Sequence, residues 1–137
     1  DDGTQGIVGV DVKYHERTKP EIPKPSNRER YLRVAATSGL FGAGATDRVA
    51  GRSDLAVMWL ELLLLLSMLQ HESGAWTWGR YVVVHPAGNP DLTDGSGRYR
   101  ELLADDSTFG SITLEDLLGA GVLPAATALR ERYLPNA

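Results

Sequence analysis

The sequence predicts an α/β domain, and three runs of residues carry that prediction. A β-branched stretch from Ile7 to Glu16 opens the chain, and a second apolar run from Arg80 to His85 comes much later. Between them lies Leu55 to His71, apolar nearly all round and so expected to be a buried helix. Strands separated by helices indicate parallel pairing through a crossover.

The first run is read as a strand whose side chains alternate between two faces. Val8, Val10, Val12 and Tyr14 make an apolar row suited to packing on a core, and Ile7, Gly9, Asp11, Lys13 and His15 share the other face. Asp2 to Gly6 has hairpin-turn chemistry, which calls for a strand upstream of residue 1. The chain opens on Asp1-Asp2-Gly3, without an initiating Met or a basic-then-apolar leader. It is therefore expected to be a C-terminal piece of a longer parent.

Three prolines among residues 20–25 favour an extended loop after the strand. Ser26 and Glu29 match a capping box, with a helix expected through Arg30 to Ala36. Gly39, Gly42 and Gly44 end that helix and begin a flexible stretch up to Gly51. Ser53 or Asp54 caps the buried helix, and Ser73-Gly74 closes it. The run Arg80 to His85 is too apolar for a half-exposed strand, so it is expected to be central, covered on both faces and parallel to its neighbour. Ala87 to Gly97 is rich in turn residues and reads as a loop, followed by a helix from Arg98 to Ala104. Phe109 to Ile112 is a short edge strand, Thr113 caps a helix over Leu114 to Leu118, and Pro124 opens a last helix, Ala125 to Tyr133.

At 137 residues the chain is one domain by size, 1–137. Hydrophobic content of 42% with 23% charged residues belongs to a folded globular protein rather than a disordered one. The net charge of −4 argues against a wholly basic nucleic-acid wrapper but is compatible with local basic contacts. With no cysteine, disulfides, thiolate metal sites and Cys nucleophiles are excluded, which fits a cytoplasmic protein. Glu61 and Ser67 interrupt the longest apolar segment, leaving it too short and mixed to span a membrane. There is no phosphate-cradling glycine loop, no HExxH and no Ser-His-Asp signature.

The best chemical clue is the Asp11-Val12-Lys13 triplet inside an apolar strand. A carboxylate and an ammonium there are costly unless they are paired, solvated or bound to a metal. Two readings follow. A strand carboxylate can coordinate a hard cation such as Mg²⁺, while a nearby lysine orients water or neutralises charge on a phosphoryl oxygen. With a second carboxylate the set could cleave a phosphodiester. Alternatively, Asp11 and Lys13 form an exposed same-face ion pair worth about 0–1 kcal/mol.

The order of triplet, buried helix and second apolar strand resembles the PD-(D/E)XK nuclease superfamily, whose members have the restriction-endonuclease-like fold. The wording Gly9-Val10-Asp11-Val12-Lys13-Tyr14-His15-Glu16, then Ser67-Met68-Leu69-Gln70-His71 and Val83-Val84-His85-Pro86-Ala87-Gly88-Asn89, is similar to a bacterial branch of nuclease-like proteins. So are Tyr99-Arg100-Glu101-Leu102-Leu103 and Thr113-Leu114-Glu115-Asp116-Leu117-Leu118. The resemblance implies a mixed sheet flanked by helices, with the first helix and strand upstream of this chain. It also implies a metal-dependent nuclease acting on nucleic acid, DNA foremost, with Mg²⁺ (or Mn²⁺) as cofactor and a homodimer as one arrangement.

Carried over, Asp11 is the metal-ligand acid and Lys13 the lysine of the (D/E)-x-K element, and the earlier acid has no secure match. Glu16 corresponds to an extra acid near this point in some relatives, and otherwise is a solvated charge at the strand end. Gln70 corresponds to a glutamine that helps hold the site in several families, or is a polar residue at a helix C-terminus. His15 could contact phosphate or a metal-bound water, or sit as a polar residue at the sheet edge, and His85 ends the second strand near the functional edge. Lys19, Lys24, Arg28, Arg30 and Arg33 make the most basic stretch, either a phosphate-contacting arm or a solvated charge run. Trp76 and Trp78 could stack bases or anchor a turn. A missing upstream acid would favour the alternative, a catalytically inactive nuclease-like module that binds nucleic acid or a protein partner.

Overall fold

β-Branched and aromatic residues put three runs of the chain into extended backbone, and these pair side by side in one sheet. In the computed structural model, which describes residues 4–134, the chain runs β1 (Gly6–Val12), a 3₁₀ turn (Pro25–Asn27), α1 (Arg28–Ser38), α2 (Ala45–Ala50) and α3 (Ala56–Leu69). It continues through β2 (Trp78–His85), α4 (Pro90–Arg100), β3 (Phe109–Thr113), α5 (Leu114–Gly119) and α6 (Ala126–Tyr133). The sheet order is β1-β2-β3, parallel throughout, with Asp11 opposite Val83 and Val83 opposite Ser111. β2 is the central strand, as its apolar run requires, and it is buried on both faces at Val83 and Val84.

The core lies on the face of the sheet that carries Ile7, Tyr81, Val83 and Phe109, where α3 and α4 pack. Trp59, Leu62, Leu92, Tyr99 and Phe109 are almost wholly enclosed there. α3 is the largest contributor because nearly every face of it is apolar. Within the described residues no helix is long and apolar enough to cross a membrane.

The structure reverses the expected facing of β1. Val8, Val10 and Val12 are 52%, 58% and 62% exposed, and the face bearing Asp11 is the one turned towards α3. The physical reason is that β1 is an edge strand whose valine face has no helix over it among the described residues. Val10→Thr is accordingly expected to change the unfolding free energy by less than about 0.5 kcal/mol, measured by urea titration. A larger loss would place the valine row in a core.

Four local expectations are also corrected. Ser26 does not cap α1: Pro25 fixes a 3₁₀ turn, Asn27 becomes the N-cap, and no side-chain capping bond forms. The glycine-rich stretch contains α2, entered through Gly44 at φ 69° and buried at Ala45, Val49 and Ala50. β1 stops at Val12, so Tyr14 and His15 form a bend and Glu16 follows it. The helix expected from Arg98 instead starts at Pro90, with Asn89 as N-cap accepting from the Leu92 amide. An Asn-Pro pair opens a helix as readily as a turn. Gly95 inside it allows close approach, since a Cβ there would lie 2.7 Å from the Thr18 methyl. Asp2 and Gly3 of the expected Asp2–Gly6 turn lie outside the described residues, and Gly6 already belongs to β1. Gly39 ends α1 in the left-handed region, and Thr113 caps α5 by accepting from the Asp116 amide, both where expected.

Arg98 ties α4 to the loop entering α3, donating to Asp54 at 2.7 Å and to Asp94 at 2.8 Å. The Arg98 guanidinium holds the Asp54 carboxyl below its ordinary range. A carboxyl depressed in the folded state stabilises the fold above its unfolded pKa, about 3.9, and loses that effect as pH falls through the folded value. Arg98→Ala is expected to cost up to about 1 kcal/mol at neutral pH, with the deficit shrinking below about pH 4. Urea titrations at the two pH values check this, and a constant deficit would assign the loss to packing.

Candidate active site

The backbone pairing that ends β1 also fixes the site. The Lys13 amide donates to the Val84 carbonyl at 2.9 Å, so the residue after Val12 is still tethered to β2. Two-residue periodicity then sets Asp11 and Lys13 side by side on the face towards α3. Lys13 Nζ lies 2.8 Å from Asp11 Oδ2, and the two side chains are only 19% and 21% exposed. This is not a solvated surface pair, and in such partial burial each charge depends on the other.

Tyr81 completes the cluster. Its hydroxyl donates to the same Asp11 Oδ2 at 3.1 Å. Burial pushes the phenol up, and the Asp11 charge and hydrogen bond push it further, so it stays a protonated donor. Both described partners of Asp11 converge on Oδ2, so Oδ1 makes no hydrogen bond or ion pair with a described residue, and Asp11 lines the groove between β1 and α3. That groove, about 140 Å³, is lined by Gly9, Asp11, Tyr81, Glu61 and Met68 among others. Mg²⁺ takes one or two protein carboxylates and keeps several waters, so a single free carboxylate oxygen beside an open groove fits a hard cation. Among the described residues no three His, Cys, Asp or Glu side chains form a preassembled metal cage.

The bend after β1 turns Glu16 into a cavity of about 180 Å³ that Lys13, Asp54 and Leu92 also line. Its Oε2 accepts from the His15 amide at 3.0 Å. Its own and neighbouring backbone amides, with the Lys13 charge, hold the carboxyl below its ordinary range. His15 is exposed, its ring edge-on to Tyr14 at 4.3 Å, in a cleft of about 520 Å³ with Arg17, Asn89 and Asp91. Lys19 pairs with Glu21 at 3.5 Å. Lys24 and Arg28 are exposed at the start of α1, and no contact joins them to Asp11 or Lys13.

Gln70 is not brought to the site. Its Nε2 donates to the Val34 carbonyl at 3.0 Å, tying the end of α3 to α1. α3 ends near the start of β2, where Trp78 pairs with Gly6, five residues and about 16 Å along β1 from Asp11. Trp78 is 51% exposed there, with its ring against Gly6. His85 shares the Asp11 face but is 3% exposed. It donates Nδ1–H to the Pro86 carbonyl at 3.0 Å, leaving Nε2 to accept from Ser111 Oγ at 3.1 Å. Sequence reasoning missed Tyr81, because its closeness to Asp11 depends on the β1–β2 register.

The fold and the site together define a nuclease-like α/β domain with a (D/E)-x-K element on an edge strand. The family model described as the PD-(D/E)XK nuclease superfamily matches residues 1–135, and the chain belongs to that superfamily. The parallel sheet with flanking helices is consistent with its restriction-endonuclease-like fold. Nucleases of this superfamily generally use divalent metals and act on nucleic acid. No curated protein and no solved structure gives a match to the chain.

Proposed function

We propose that this domain hydrolyses phosphodiester bonds in DNA with the help of a divalent cation, Mg²⁺ first and Mn²⁺ as a substitute. The observation that carries the proposal is the half-buried Asp11–Lys13 pair, steadied by Tyr81, on the wall of the groove between β1 and α3. Asp11 would hold the cation, which supplies Lewis-acid stabilisation of charge on the phosphate when bound. Lys13 sits where its ammonium can orient an attacking water and oppose charge developing on a phosphoryl oxygen. The water oxygen forms the new bond to phosphorus and gives up a proton to solvent, the bond to the leaving oxygen breaks, and that oxygen takes up a proton from solvent. Tyr81 keeps Asp11 in one orientation without itself giving up a proton. Glu16 shares a cavity with Lys13 and is a charged neighbour able to assist it.

A second reading rests on the same contact. At 2.8 Å the ion pair is closed, and a module that binds nucleic acid without cutting it needs no more than this. Cleavage assays on DNA and RNA with Mg²⁺, Mn²⁺ and chelator separate the two. Under the catalytic reading, Asp11→Asn is expected to abolish metal-dependent cleavage at a temperature where both proteins are folded, since Lys13 loses its partner and some stability goes with it. Binding to DNA with no cleavage by wild type under any metal would decide for the second reading.

A further inference from the structure

We infer that Glu61 of α3 supplies the second carboxylate to the cation held by Asp11, so that a helix completes what β1 begins. This rests on the metal-dependent reading above and names a ligand that the (D/E)-x-K element does not include. Its basis is the geometry of α3 over β1. A Cβ on Gly79 would lie 3.2 Å from each of Ile7, Leu65 and Leu69, which fixes the last turns of α3 above the start of β1. α3 brings the chain back from the end of β1 to the start of β2, which runs parallel to β1, so α3 points the opposite way. Glu61 is one turn before Leu65, about 6 Å along the axis towards the end of β1. Two strand residues span about the same distance, which carries the position from Ile7 to Gly9, with Asp11 the next residue on that face about 7 Å further along.

Gly9 is what keeps this place open. A Cβ there would meet nothing nearer than the Tyr81 ring at 4.0 Å, so the space between Ile7 and Asp11 is unfilled. The resulting groove has Asp11 and Glu61 on its walls and a volume of about 140 Å³. At roughly 30 Å³ per water, that accommodates a cation with part of its hydration shell.

Glu61 is also chemically conspicuous. It is the one charged residue within α3, and among the described residues it makes no ion pair or hydrogen bond. Glu61 is exposed and packing does not require an acid there, yet it lines the same groove as Asp11. A divalent cation would give the two acids shared coordination, and Mg²⁺ or Mn²⁺ is suited to two carboxylates with the remaining positions filled by water.

The test is Mn²⁺ binding to the full chain, by calorimetry and by the Mn²⁺-induced rise in melting temperature, for wild type, Glu61→Gln and Asp11→Asn. Glu61→Gln is expected to weaken Mn²⁺ binding about tenfold or more and to reduce the metal-induced rise. Its metal-free melting temperature should match that of wild type, because the side chain is exposed and makes no ion pair, and this separates loss of a ligand from loss of structure. If Glu61→Gln binds Mn²⁺ as wild type does while Asp11→Asn does not, the role of Glu61 is overturned and the metal-dependent reading stands. If wild type binds no Mn²⁺ at millimolar concentration, both fall.

Discussion

Lys13→Ala is expected to lower metal-dependent DNA cleavage by about 10²–10³-fold, the usual effect of removing a preorganised group that stabilises charge in the transition state. The magnitude follows from where the ammonium sits. Its side chain is 19% exposed, so water screens it less than a surface lysine, and Asp11 at 2.8 Å holds it in one place. The substitution leaves Asp11 with the Tyr81 hydroxyl and frees it from its cation. Mn²⁺ affinity should therefore be kept or improved while turnover collapses. Asp11→Asn gives the converse, with metal affinity and turnover lost together. Lys13→Arg should not restore activity, because a planar guanidinium cannot place a compact charge where the ammonium was. Stability should fall by about 1–3 kcal/mol, the cost of leaving a half-buried carboxylate short of a partner, so cleavage is compared at a temperature where both proteins are folded. Undiminished cleavage by Lys13→Ala would remove the lysine from the mechanism.

How much of this was legible in the sequence depends on the range of the interaction involved. Runs that settle their own conformation could be read: β2 from its unbroken valines, α3 from its leucines, α5 from Thr113, and the Asp11–Lys13 adjacency from the period of a strand. The facing of β1 could not. Three valines and an Asp–Lys pair on opposite faces suggest an apolar inside, but the helices over the sheet decide which face is covered, and they cover the charged one. Gln70 is set apart for a similar reason. Its place near the C-terminus of the helix was readable, but the direction of α3 over the sheet was not, and that direction carries it away from Asp11. Tyr81 depends on register, which pairs it with Gly9 and so brings its hydroxyl to a carboxylate two residues further on. Glu61 did leave a local signal, a lone charge in an apolar helix, but only the groove beside Gly9 gives that charge a use.

Trp59→Ala is expected to cost about 3–5 kcal/mol of unfolding free energy, a large part of the roughly 5–15 kcal/mol that holds a domain together. Trp59 is fully enclosed in the first turns of α3. Its ring meets Tyr31 of α1 edge-on, centroids 5.9 Å apart and planes at 73°, so it joins the two helices as well as filling space. Alanine would leave a cavity that neither helix can close without moving. Trp59→Phe should cost far less, within about 1.5 kcal/mol. It keeps a ring against Tyr31, and it removes an indole N–H that finds no acceptor among the described residues, which offsets part of the lost volume. Urea unfolding followed by circular dichroism checks both values without relying on tryptophan emission. The pair of variants also separates scaffold from chemistry. α3 carries Trp59 into the core and Glu61 to the groove two residues later, so loosening the helix should weaken Mn²⁺ binding in Trp59→Ala and leave it intact in Trp59→Phe. A Trp59→Ala protein that melts early yet binds Mn²⁺ as wild type would show that α3 holds the core without positioning the metal site.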